Sequence, residues 1–409
     1  MSGGAVNPTP SATVARMATE APALPASVRA DRRALVAIAA GHMSSDLCQG
    51  AVPALLPYLI SQRGLSYAEA TALLLALTVS SSVIQPALGH ASDRMQGAWL
   101  MPAGVLVGGV GIALAGLTTS YAATLAVVVV GGVGVAAFHP EGARYVPLVA
   151  GSGASTGMGL YSVGGNAGFV VGPVVVTAGV AAFGLHGTLL VAIIPALTAL
   201  LLWSVRPRLV AAAASAREAA PSGDVAADDD WGAFTVLSAM VVARTAVGYG
   251  LLAFVPIWFV RHLDASAGAG NAALTLLLAA GAAGTLLGGR LADRYGARPV
   301  IVGGMAALFP LVALLPAVGE AGAFLLAAAI GVALDANFGI TVVLAQRLLP
   351  SRPGAASGIV LGFAFGLGGA AAAGLGIVAD HAGLSAVMAA LAGIAFLGFV
   401  LSLFCRVPD

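Results

Sequence analysis

Gly289-Arg290-Leu291-Ala292-Asp293-Arg294-Tyr295-Gly296-Ala297-Arg298 closes one apolar stretch of this chain, and Gly89-His90-Ala91-Ser92-Asp93-Arg94 closes another 200 residues earlier. The same glycine, aspartate and arginine at the same spacing read as two copies of one unit, inserted in the same direction. A glycine lets a helix end pack closely. A carboxylate at a membrane boundary can accept from the N–H groups that open a neighbouring helix.

What surrounds these stretches is apolar. Of 409 residues, 59% are hydrophobic and 9% charged, and the mean hydropathy is +0.98. Ordinary soluble domains carry near a quarter charged residues, so the main solvent of this chain is lipid. A net charge of +1 argues against a nucleic-acid binder. All 18 basic residues are arginine. Cys48 and Cys405 lie in apolar runs near opposite ends, which excludes a disulfide framework and a CxxC metal motif. The 55 glycines point to closely packed helices.

Apolar stretches long enough to cross about 30 Å of hydrocarbon recur from Ala34 onward. They cover 34–60, 68–88, 98–117, 121–146, 153–178 and 184–205, then 232–260, 270–290, 299–318, 321–346, 354–379 and 384–404. The expected fold is an all-α membrane protein of twelve transmembrane helices, in two six-helix bundles related as parallel repeats. Residues 1–33 form a disordered cytoplasmic tail, 34–205 the first bundle, 206–231 a solvated cytoplasmic linker with the acidic run Asp228-Asp229-Asp230, and 232–409 the second bundle. With the N-terminus inside, fourteen arginines lie at or near the cytoplasmic face and only Arg63 and Arg261 face outward. Both termini are therefore expected in the cytoplasm. Gly164, Gly168 and Gly172 in the fifth span, echoed by Gly358, Gly362 and Gly366 in the eleventh, form stripes that a neighbouring backbone can approach.

Ionisable groups at membrane depth cost about 2.5–3.5 kcal/mol each on insertion scales, so those present need a reason. His42, Asp46, Gln49 and Pro53 fall on one face of the first span. Asp46 is the first choice for a proton carrier, since a carboxylate can be tuned by burial and by a nearby cation. His139, Glu141 and Arg144 share the fourth span, where Pro140 loosens the helix ladder. In the seventh span Arg244 suits recognition of an anionic group, or pairing with Asp335 of the tenth. Tyr161, Asn166, Tyr249, Asn337 and Gln346 are candidates to line a central cavity, and Trp258 is either a further liner or an interfacial anchor.

Two loop copies, a glycine-marked fifth helix and twelve spans together resemble the major facilitator superfamily of secondary transporters, from Ala34 to Arg406. The family's loop signature, G-x-x-x-D-R-x-G-R-R/K, is better kept in the second copy, by Gly289, Asp293, Arg294, Gly296 and Arg298, with Ala297 a departure. The first keeps Gly89, Asp93 and Arg94 and then loses its basic residues over Met95-Gln96-Gly97-Ala98. The resemblance implies that these residues latch the cytoplasmic gate. Gly168, Gly172 and Pro173 are similar to the G-x-x-x-G-P signature of proton-driven exporters. Gly41-His42-Met43-Ser44-Ser45-Asp46 and Phe138-His139-Pro140-Glu141 look like the fosmidomycin-resistance group.

The expected function is thus a proton-coupled antiporter exporting a small anionic or zwitterionic organic compound by alternating access. It would work as a monomer in the inner (plasma) membrane, with protons, a small-molecule substrate and the bilayer as partners and no cofactor. A proton symporter taking up an organic acid or sugar is the alternative. An enzyme built on an intramembrane metal site of His42, Asp46, His139 and Glu141 is disfavoured, since HExxH and GxSxG are absent. Without lysine no GxxxxGK[ST] phosphate loop can exist.

Overall fold

In a computed structural model of the chain, residues 30–82, 84–85, 98–218 and 228–407 are described, and every regular element among them is helical. The first half comprises α1 (Arg32–Arg63), α2 (Tyr67–Ser82), α3 (Leu100–Leu114), α4 (Tyr121–Ala150), α5 (Ala154–Phe183) and, after a 3₁₀ stretch over Gly184–Ala192, α6 (Ile193–Glu218). The second comprises α7 (Trp231–Arg261), α8 (Ala267–Tyr295), α9 (Ala297–Leu314) and α10 in two pieces, Glu320–Asp335 and Phe338–Leu348. Then α11 runs from Pro353–Ser357 through a π-turn at Gly358–Phe363 into Ala364–Ala382, and α12 is Leu384–Leu403.

Each expected span has its helix. Among the described residues, eight helical runs are long and apolar enough to cross a membrane by length and composition. The 32-residue α1 falls outside that set because His42, Ser44, Ser45, Asp46 and Gln49 interrupt its apolar run. Of the repeated loop, Gly89, Asp93 and Arg94 lie outside the described residues.

Matching local structures confirm the repeat. Asp31 caps α1 by accepting from the Ala34 N–H, and Asp230 caps α7 by accepting from Ala233. The Asp31 N–H donates to the Val149 carbonyl at 2.9 Å, and the Asp230 N–H to Leu348 at 2.8 Å. Gly64 and Asp264, which follow α1 and α7, both adopt left-handed backbone, with φ of 68° and 50°. Aspartate is one of the few side chains that tolerates this region. Burial works to raise the Asp31 carboxyl, but the Ala34 N–H and the Arg208 guanidinium hold it below the usual carboxylate range.

Two expectations about local structure need correction. The sixth helix continues to Glu218, so the first half of the linker is helical. The acidic run does more than solvate the linker. Asp229 accepts from both the N–H and the hydroxyl of Ser351, fastening the start of α7 to the α10–α11 corner.

Within the first half α1 packs on α5, α4 and α6, and α3 on α4; within the second, α8 packs on α10, and α7 on α11 and α12. The α1–α5 contact is backbone against backbone. A methyl group added at Gly172 would stand 2.6 Å from the Leu47 carbonyl oxygen, and one at Gly168 would overlap the Met43 carbonyl. The parallel expectation for Gly358, Gly362 and Gly366 fails, because each faces open space. Among the described residues, that side of α11 has no helix packed against it. Close approach in α11 falls instead to Gly368 against Thr245 and Tyr249 of α7, and to Gly369 and Gly376 against Thr78 and Thr71 of α2.

The halves meet through α2–α11, α5–α8, α1–α7 and α1–α8. Gly168→Ala should destabilise the first half by about 1–3 kcal/mol through overpacking, while Gly366→Ala should leave stability unchanged. Thermal melts of the two purified variants in detergent check the contrast.

Candidate functional site

The polar face of α1 meets α4 and α5 at one cluster. Asp46 is 5% exposed. Its Oδ2 lies 3.2 Å from His42 Nε2, and its Oδ1 lies 3.0 Å from His139 Nε2 of α4. Gln49 donates its amide to Oδ1 at 2.7 Å. The outer ring nitrogens are fixed as well: His42 Nδ1 lies 2.7 Å from the Tyr161 carbonyl, and His139 Nδ1 3.0 Å from that of Val135. A Tyr161 ring from α5 stacks on His42 with centroids 3.8 Å apart, and its hydroxyl donates to the His139 carbonyl. Gly165 is the floor of the cluster, since a methyl there would stand 2.6 Å from Asp46 Oδ2.

This geometry fixes where protons belong. A carbonyl oxygen only accepts, so both Nδ1 atoms carry hydrogen. Each Nε2 then faces a carboxylate oxygen, and a bare lone pair there would be repelled. One proton on each of the two N···O lines turns both contacts into hydrogen bonds. The three ligand atoms all lie within 4.8 Å of one another, so the histidines and Asp46 also have the spacing to share a single metal ion. Glu141 does not join them. It is buried and paired with Arg144 at 2.6 Å, one turn along α4, and the Arg144 guanidinium lies over the Tyr145 ring.

The second half supplies a cation. Arg244 of α7 is 4% exposed and reaches Asp335 Oδ1 and the Leu334 carbonyl, both at 3.5 Å. Its guanidinium lies 5.4 Å over the Phe338 ring, and its Nε is buried without a hydrogen-bond partner. Asp335, with 31% of its side chain accessible, ends the first piece of α10. Tyr249 of α7 is buried, with its ring against Phe365 of α11.

Other sequence candidates fall elsewhere. Asn337 sits fully buried at the break in α10, beside Gly304 of α9, so it lines no cavity in this state. Gln346 is exposed and donates to Ser357, joining α10 to α11. Asn166 is half-buried on α5. Trp258 is fully buried and stacked on His262 rather than placed at an interface. Asp293 and Arg294 are exposed, and Arg298 donates to the Leu403 carbonyl. Gly289 meets open space; its neighbour Gly288 makes the close contact, against the Ala336 backbone. Pro173 lies within α5, which continues unbroken to Phe183. Sequence reasoning missed Gly165, whose role depends on how α5 is rotated against α1.

The sequence matches the model of the Major Facilitator Superfamily over residues 38–373 and again over 236–409. The chain belongs to that superfamily. This facilitator is 30% identical over 376 residues to an uncharacterized MFS-type transporter, YfnC, of Bacillus subtilis (strain 168), covering 90% of this chain and 91% of that one. It is also 30% identical over 379 residues to the fosmidomycin resistance protein of Escherichia coli (strain K12), with 92% of each chain covered. Among solved structures it superposes on the nucleoside transporter NupG (D323A mutant) with a TM-score of 0.71 at 16% identity, over 91% of this chain and 99% of that one. A D-xylose-proton symporter gives 0.68 at 18% identity, over 92% and 98%. These likenesses make the facilitator an integral membrane transporter of small molecules.

If Gly165 is the floor of the cluster, Gly165→Ala should cost about 1–3 kcal/mol of stability, and the cost should shrink when His42→Ala removes one clashing partner. A double-mutant cycle of thermal melts measures it.

Proposed function

We propose that this facilitator is a proton-coupled antiporter that exports a small anionic or zwitterionic organic compound, of the fosmidomycin kind, by alternating access. The observation that carries the reading is a buried carboxylate held between two imidazoles, His42–Asp46–His139, within one half of a two-half transporter. Such a cluster joins three protonatable side chains through direct contacts, so a proton can be taken up and passed on within it. A relative whose name records fosmidomycin resistance, matched along 92% of the chain, supports export of an anionic drug.

Arg244 is the residue we assign to the substrate's anionic group. It is buried, its Nε has no partner, and its contact with Asp335 is long. A planar guanidinium in that condition favours a bidentate anion. Asp335 would hold Arg244 between substrates and give it up when one binds. Glu141 and Arg144 would adjust the charge near the cluster, with Tyr161, Gln49, Asn166 and Tyr249 around the path. The arginine distribution supports a protein of the cytoplasmic membrane with both termini inside.

Proteoliposomes carrying the purified protein, loaded with fosmidomycin or other organic anions and given a pH gradient, test the reading. Flux against the direction of proton flow is expected, and flux with it would make the protein a symporter. Asp46→Asn should abolish gradient-driven flux while folding normally. Arg244→Gln should weaken binding of anionic substrates about tenfold or more, and of neutral ones little.

A further inference from the structure

Two of the seams between the halves, α2–α11 and α5–α8, reach the face opposite the start of α1. α1 starts at the terminal face with Arg32 and reaches the far one at Arg63, so α2 and α8 begin there and α11 ends there. The two seams are related by the repeat. In one, Thr71 of α2 meets Gly376 of α11; in the other, Asn271 of α8 meets Thr177 of α5.

The start of α2 has unusual bonding. An α-helix opens with N–H groups that have no partner inside the helix. Ser66 and Glu69 satisfy each other in a capping box: the Glu69 N–H donates to Ser66 Oγ, and the Ser66 N–H to Glu69 Oε2. The Ala70 N–H reaches the Ser66 carbonyl. The N–H groups of Tyr67 and Ala68 remain, and both donate to one carboxylate of the other half. They meet Asp380 Oδ1 at 2.8 Å and Oδ2 at 2.9 Å. By contrast α8, the repeat partner of α2, is capped by its own Ser266. In its seam the cross-half bonds come from the Asn271 amide, which donates to the Ala54 carbonyl at 3.0 Å and to Thr177 Oγ1 at 2.9 Å.

We propose that Asp380 and Asn271 are the positioning residues of the transport cycle on this face, two polar clasps that hold the far side shut and set how often it opens. The cap of α2 is complete only while the halves are closed here, because half of it belongs to α11. When the seam parts, Tyr67 and Ala68 must turn to water, and the Asn271 amide loses both acceptors. Substitution at either clasp therefore lowers the free energy of the opened state relative to the closed one without touching the His42–Asp46–His139 cluster.

Thr71, fully buried in the α2–α11 seam, is the reporter. Cys48 and Cys405 are replaced by serine, Thr71→Cys is introduced, and the rate of N-ethylmaleimide labelling is measured in lipid nanodiscs, where both faces are accessible. Asp380→Asn and Asp380→Ala should raise the rate about three- to tenfold, the range set by losing hydrogen bonds that water partly replaces. Asn271→Ala should do the same, the two substitutions together should exceed either alone, and Asp380→Glu should stay nearest the parent. Thermal melts separate opening from unfolding. Faster labelling at an unchanged melting temperature supports the clasps, and labelling at the parental rate in Asp380→Ala and Asn271→Ala overturns them. Neither protons nor substrate enter the measurement, so its outcome is independent of the antiport reading.

Discussion

The backbone of α5 rests on the backbone of α1, and the cluster of His42, Asp46 and His139 depends on that contact. Gly164, Gly168 and Gly172 face Ala39, Met43 and Leu47 with no side chain between. Helices brought this close have little freedom to rotate, so the polar face of α1 is aimed by packing rather than by its own bonds. Gly165, one residue further around α5, then leaves the space that His42 and Asp46 fill, and Tyr161, one turn earlier, lays its ring over His42. The result is a carboxylate, two imidazoles and an amide that satisfy one another in a place where water is scarce. In lipid an unsatisfied group of this kind would be costly, so the closeness of α1 and α5 is also what makes the polar residues of α1 tolerable.

The repeat, the twelve spans and the shortlist of buried charge were legible in the residues themselves. Composition and hydropathy report the solvent directly, and spacing along a helix reports its faces. His42, Asp46 and Gln49 share a stripe in the sequence and share one cluster in the structure. The three-residue spacing of Glu141 and Arg144 already allowed their pairing, whereas it was not legible that His139 would complete the cluster, because that depends on the rotation of α4 against α1. The same limit explains Gly358, Gly362 and Gly366, whose four-residue spacing promised a packed stripe and whose side of α11 faces open space. Asn337 looked like a polar cavity liner and is instead buried at a helix break. Hydropathy cannot tell a polar residue that faces a path from one sealed between helices.

Duplication gave the two halves one plan, and they have diverged in chemistry. The first half gathers a carboxylate and two imidazoles from α1 and α4. The second carries a buried guanidinium on α7 and a carboxylate on α10. A protein that couples two solutes benefits from such a division, since each half can respond to a different ligand while the interface between them carries the exchange.

The carboxylates at the two faces stand in different conditions. Asp293 of the repeated loop lies near the terminal face, where it is exposed and makes no hydrogen bond or ion pair among the described residues. Asp380 lies on the opposite face and is fully engaged with the start of α2. A carboxylate that satisfies a helix N-terminus across the interface stabilises the state in which that face is closed, and only that state. When that face opens, the Tyr67 and Ala68 N–H groups turn to water and the cap is given up. Water replaces most of what each lost bond contributes, which keeps the open and closed states of this face close in energy. Closely balanced states are what a transporter needs, because a ligand can shift a population only by its differential affinity for the two.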